Sequence, residues 1–236
     1  MIREVDINEI SDGRRYRSSD MVKIGCADCA GCSECCRQVD DTIILDPYDI
    51  NELCRGLDTT FDDLLSGAYL LKNKSLSDMP GPTQSWETEM TLIPAIELGH
   101  ADGLLLPHLN ISKETGRCVF LSRDGRCTIH DFRPGFCRLY PLGRIYENGS
   151  FSYFIQIHEC PYPNKTKVKI KKWLGIRDLS SYEAFVLKWH DILENARKEL
   201  SDIHDISEQS RYIVSFLRKY YQNESGETSP DPSDLL

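Results

Sequence analysis

The chain has 236 residues, 40% of them apolar, enough for one sizeable core and ordinary for a globular protein. Its 37 acidic against 28 basic side chains leave a net charge of -9 and no broad basic face to displace counterions, so nucleic acid is not an expected partner. No stretch reaches the roughly 18 apolar residues of a membrane span, and no apolar run precedes the first cysteine as a secretory or twin-arginine leader requires, so a cytoplasmic location away from membranes is expected.

Residues 1–25 are polar and mixed in charge and read as an arm. The segment 26–36 is too dense in thiols and small residues for a core element and reads as a loop wrapped around something. Thr42-Ile43-Ile44-Leu45 predicts a short strand, and Asp46-Pro47 an N-cap with proline in the first turn of a helix running to about Arg55. Thr59 to Asp62 offers a second helix start, and residues 72–85 form a Pro- and Gly-punctuated loop. From Thr88 to Ile111 apolar runs broken by Pro94, Gly99, Gly103 and Pro107 predict short strands and turns. Two hairpins follow, one turning at Arg123-Asp124-Gly125 and one at Asn148-Gly149.

The last third is predicted helical. Ser180 to Glu183 reads as a capping box, and Tyr182, Phe185, Val186, Trp189, Leu193, Ala196 and Leu200 recur at helical spacing. A further helix is expected over about 208–221, and the acidic tail from Glu224 as disordered. The expected fold is α+β, mainly helical with short β-hairpins around a cysteine-rich metal site. It divides into the arm 1–25, a metal-binding domain 26–165, a helical region 166–223 packed on it, and the tail 224–236.

In a reducing compartment ten cysteines are not a disulfide framework, which leaves metal ligation as the reading of choice. Cys26, Cys29, Cys32 and Cys35 fall at three-residue intervals with Cys36 next to the last. Two cysteines separated by two residues can turn both sulfurs onto one centre while backbone N–H groups point at them, in zinc and iron–sulfur sites alike. The neighbours Asp28, Ser33, Glu34 and Arg37 are too polar for a cluster of inert buried thiols. Cys26, Cys29, Cys32 and Cys36 also match the bacterial ferredoxin spacing, with Arg37 where that run has proline. One zinc cannot use five thiolates, which favours iron–sulfur, in one centre or two, with zinc the alternative.

Cys118, Cys127, Cys137 and Cys160 are separated by eight, nine and twenty-two residues, so tertiary folding must bring them together. Cys54, alone on a helix, reads as packing. Four thiolates on a 2+ centre carry about two net negative charges, and burying them calls for cations nearby. Arg133 and Arg138, flanking Cys137, are placed to supply them as cofactor-binding residues, with surface ion pairing the competing reading. His130 is a candidate second-shell donor or substitute ligand; His108 and His158 are weaker candidates.

The run Cys29-Ala-Gly-Cys32-Ser-Glu-Cys35-Cys36, then CVFLSRDGRCTIHDFRPGFCRLYP, then Cys160 resembles the CxxCxxCC, or YkgJ-type, cysteine-cluster family, whose domain is described as zinc- or iron-chelating. The resemblance spans about 29–160 and implies metal ligation by Cys29, Cys32, Cys35, Cys36, Cys118, Cys127, Cys137 and Cys160, leaving Cys26 and Cys54 outside the set. The family includes flagellin lysine N-methylases, so the resemblance also implies 4Fe–4S as the form of the cluster and raises S-adenosylmethionine as a cofactor and methyl transfer to a protein or small-molecule substrate as an activity. No GxGxxG and no CxxxCxxC triplet is present to show where that cofactor would bind. An electron-carrying module and a structural zinc protein are the competing readings.

Overall fold

The computed structural model describes residues 6–26, 32–37, 43–72 and 92–222. Cys29, Thr42, all but the first residue of the loop expected over 72–85, the start of the apolar runs expected from Thr88, and the tail expected from Glu224 lie outside the described residues, while Lys72 ends a helix. The fold is α+β, helices with short antiparallel strand pairs. No described helix is long and apolar enough to cross a membrane.

Residues 6–25, read from sequence as part of a polar arm, form a short helix α1 (Ile7–Ile10) and strand β1 (Met21–Gly25). Helix α2 (Pro47–Leu57) starts as its sequence requires, with Asp46 and Asp49 exchanging the two hydrogen bonds of a capping box and Pro47 in the first turn. Helix α3 (Phe61–Ser66) repeats the device with Thr60 and Asp63, and α4 (Tyr69–Lys72) follows. Strands β2 (Ile96–Ala101) and β3 (Leu104–Leu109) form a hairpin whose two-residue turn, Asp102-Gly103, has φ of 49° and 86°. That left-handed pair suits the twist of the flanking strands. Ile43 to Leu45, the expected strand, runs along β3 through Leu45 N–H to the Pro107 carbonyl and Leu109 N–H to the Ile43 carbonyl, both 2.9 Å.

Helix α5 (Gly135–Leu139) precedes the hairpin of β4 (Leu142–Glu147) and β5 (Ser150–Ile155), which turns at Asn148-Gly149 as predicted. Strand β6 (Thr166–Lys169), paired antiparallel with β1, and helix α6 (Ile170–Leu174) follow. Helix α7 (Leu179–Asp202) corrects one expectation, since its N-cap is Asp178 rather than Ser180. The Asp178 carboxylate accepts from the Ser181 amide and hydroxyl, which draws both serines into the first helical turn. Helix α8 (Ile206–Tyr221) completes the described chain.

The main core lies between α2, α3, α7, α8 and the β2–β3 hairpin. Trp189 of α7 meets the rings of Phe216, Tyr220 and Tyr221 on α8, and the buried Tyr221 hydroxyl donates to the Leu45 carbonyl at 2.9 Å. A second cluster gathers Val22, Ile24, Leu139, Leu142, Tyr153, Ile170 and Leu174 around the β1–β6 pair. Phe151, Ile176 and Leu179 pack on both clusters, and α5 sits where the two cores meet, with Cys137 against the first and Leu139 in the second.

Candidate metal centre

Three segments carry the thiols of interest into one place. Residues 34–36 form a single 3-10 turn, which Arg37 closes by donating from Nε to the Ser33 hydroxyl at 2.8 Å. This loop is stitched to the second segment by the Cys118 amide, which donates to the Cys36 carbonyl at 3.0 Å. From Cys118 the chain reverses at Arg123 to Gly125, where Ser122 and Arg126 exchange backbone and side-chain hydrogen bonds and Thr128 N–H reaches the Phe120 carbonyl. The predicted hairpin turn is therefore present, held by bridges rather than by full strands. The third segment is α5, which carries Cys137.

These segments enclose a cavity of about 240 Å³ lined by Cys32, Cys35, Cys36, Cys118, Cys127 and Cys137, with Ser33, Arg126, His130 and Arg133 among its polar walls. Six of the eight cysteines implied by the resemblance thus face one space. Cys160 is buried but does not line it; it lies near Tyr140, whose hydroxyl donates to the Glu159 carbonyl. Burial raises the Tyr140 phenol, and the thiols of Cys160, Cys35 and Cys32 push it in the same direction from nearby. Cys26 is buried at the end of β1, and Cys54 sits on α2 inside the main core, where burial pushes its thiol up to about 12.

The thiols facing the cavity are not equivalent. The Cys35 and Cys36 sulfurs stand 3.9 Å apart, and Cys36 also hydrogen-bonds Cys127. Hydrogen bonding among these three thiols brings Cys35 down to about 7, lowers Cys127 and raises Cys36. The Arg133 guanidinium adds to both depressions. Cys118 and Cys137 are pushed the other way by burial, Cys118 to about 12. Among the described residues no three His, Cys, Asp or Glu side chains already stand close enough to hold an ion.

The two arginines predicted to balance charge take different positions. Arg133 lines the cavity, its Nη1 against His130 Nε2 at 2.9 Å and its Nε buried with no hydrogen-bond partner among the described residues. An unpartnered guanidinium nitrogen beside acidified thiols suits an anionic thiolate centre. Arg138 lies outside the cavity and pins the approach to α5, donating to the Arg133 carbonyl at 2.9 Å and the Asp131 carbonyl at 2.6 Å. His130 is at the cavity wall, while His108 is buried on β3 against Gly99 and His158 is exposed.

The decisive comparison matches the CxxCxxCC family, described as a candidate zinc- or iron-chelating domain, over residues 28–161, more than half of the chain. The chain belongs to the CxxCxxCC family. No curated protein and no solved structure matches it. All six cavity cysteines of this CxxCxxCC protein fall within the matched region, whereas α7 and α8 follow it. Beside α5, which carries Cys137, the Asp49 carboxylate accepts from the Gly135 amide and the Tyr182 hydroxyl accepts from Arg144, and sequence reasoning did not single out these four residues. Only the Asp-Pro-x-Asp start of α2 hinted at any of them, and there as a helix cap.

Proposed function

We propose that this chain binds a polynuclear, thiolate-ligated iron–sulfur centre in the cysteine-walled cavity. The observation that carries this reading is the convergence of six cysteines from three segments on one space of about 240 Å³, two more thiolates than a single tetrahedral zinc accepts. Cys32, Cys35, Cys36, Cys118, Cys127 and Cys137 are the ligand pool, joined by Cys29, with Cys160 near Tyr140 and off the cavity wall. Arg133 supplies the compensating charge. When bound, such a centre supplies reversible electron transfer and, with one open iron position, a Lewis acid. S-adenosylmethionine-dependent methyl transfer to a protein or small molecule is the enzymatic form of this reading. It predicts that millimolar S-adenosylmethionine perturbs the centre's visible spectrum.

Zinc is the second reading, supported by one distance. Thiolates on a tetrahedral zinc with Zn–S bonds of about 2.3 Å lie about 3.8 Å apart. The Cys35 and Cys36 sulfurs already stand 3.9 Å apart. Protein purified without air should be assayed for iron, acid-labile sulfide and zinc per chain, with a visible spectrum. About four iron and four sulfide with a broad brown absorbance support a 4Fe–4S centre, and about twice that two of them. Colourless protein with stoichiometric zinc overturns the iron–sulfur reading.

A further inference from the structure

Helix α5 has five residues, too few to persist without tertiary support, and its N-cap, Pro134, offers no side-chain acceptor to the first helical amides. The missing cap comes from elsewhere in the chain. The Gly135 amide donates at 2.7 Å to Oδ1 of Asp49, a buried carboxylate 86 residues away. The other Asp49 oxygen accepts from the Asp46 amide at 3.4 Å, and the Asp46 carboxylate accepts from the Asp49 amide at 2.8 Å, so Asp49 is held at the start of α2. One carboxylate therefore caps two helices.

Gly135 is also closed in by α7. A Cβ at Gly135 would stand 2.0 Å from the Tyr182 hydroxyl oxygen, so the backbone of α5 rests directly on that group. Tyr182 is itself fixed: it is 3% exposed, its ring meets Tyr48 edge-on at 5.0 Å, and its hydroxyl accepts from Arg144 Nη2 at 3.2 Å. The Arg144 guanidinium lies 5.4 Å from the Tyr182 ring, 5.6 Å from Phe151 and 6.0 Å from Tyr153. Cys137, two residues beyond Gly135, thus inherits its place from a hydrogen bond to α2 and a steric stop on α7.

We infer that Asp49 and Tyr182 are positioning residues for Cys137, and that α7, which lies beyond the family-matched region, is part of the support of the metal centre. The inference rests on the metal-centre reading, and cobalt(II) on the reduced full chain tests the two separately. Wild type, Asp49→Ala, Asp49→Asn, Tyr182→Phe and Leu200→Ala are loaded with cobalt(II), and loss of the thiolate-to-cobalt absorption into excess chelator is timed. Supporting groups behind metal ligands typically change affinity about ten- to a hundred-fold. Asp49→Ala should release cobalt about ten-fold faster or more, and Tyr182→Phe several-fold faster. Asp49→Asn, whose amide oxygen still accepts from Gly135, should stay close to wild type. Leu200→Ala opens a cavity elsewhere on α7 and controls for lost stability alone; it too should stay close to wild type. Release from Asp49→Ala and Tyr182→Phe within two-fold of wild type overturns the inference. So does equal acceleration in Leu200→Ala, or an Asp49→Asn as fast as Asp49→Ala. A wild type that forms no cobalt–thiolate band at all defeats the metal-centre reading itself.

Discussion

Replacing Gly135 with alanine tests the packing behind the thiol cavity in the metal-free chain. The new methyl would sit 2.0 Å from the Tyr182 hydroxyl oxygen, well inside van der Waals contact, so one of the two must move by more than an ångström. Tyr182 has little room to do so, because its ring is buried and its hydroxyl takes the Arg144 hydrogen bond at 3.2 Å. Overpacking of this kind costs about 1–3 kcal/mol, and displacing the hydroxyl from Arg144 adds about 1 kcal/mol, so about 3 kcal/mol is expected. Removing the oxygen relieves the conflict, since the next atom, Tyr182 Cζ, stands 3.2 Å from the new methyl. The double variant Gly135→Ala/Tyr182→Phe should therefore be no less stable than Gly135→Ala alone, a coupling of about 1–2 kcal/mol away from additivity. Urea denaturation of the reduced, chelator-treated chain, analysed for midpoint and slope, measures all three differences. A cost below about 0.5 kcal/mol for Gly135→Ala, or simple additivity in the double variant, refutes the reasoning.

Further outcomes follow from the same geometry. Cys54 lies in the main core away from the cavity, so Cys54→Ala should leave metal per chain unchanged while Cys137→Ala lowers it; equal losses would contradict the assigned placement. In the metal-free chain near neutral pH, Cys35, drawn down to about 7 by its Cys36 hydrogen bond and Arg133, should be alkylated by iodoacetamide before the buried Cys54 and Cys118, both pushed up to about 12. Peptide mapping after brief labelling gives the order, and Cys118 or Cys54 reacting first would count against it. Burial raises Asp46 from an ordinary 3.8 to about 6, and Asp49 shifts the same way. A raised carboxyl favours the fold while protonated, so its contribution is complete below about pH 4 and is lost as pH rises through about 6. Asp46→Asn keeps a good N-cap and should flatten the fall in melting temperature between pH 4 and 6; an unchanged slope would show that Asp46 is not its source.

What the sequence made legible was local. The Asn148-Gly149 hairpin, the Asp46-Pro47 helix start and the apolar stripe of α7 all follow from turn chemistry or period, and all are present. The β1–β6 pair was not legible, because its strands lie more than 140 residues apart and alternating lysines disguise the inward-facing Val168. The start of α7 was displaced because two serines look like a capping box, and Asp178, the stronger acceptor, precedes them. At the site, the CxxC spacing exposed the N-terminal thiols, but the distance of Cys160 from the cavity is a property of tertiary folding. The same holds for Asp49, whose bond to Gly135 crosses 86 residues and leaves no periodic trace.

The β1–β6 ladder pairs Met21 with Lys169 and Gly25 with Thr166, and so brackets the family-matched region 28–161 from both ends. It works as a clasp on a loop of almost the whole cysteine-bearing chain. A fragment trimmed to the matched limits would keep every cavity wall and lose the fastening, freeing its two ends to diffuse apart. The unit to clone, graft or fuse therefore runs outward past both strands, wider than the family-matched region.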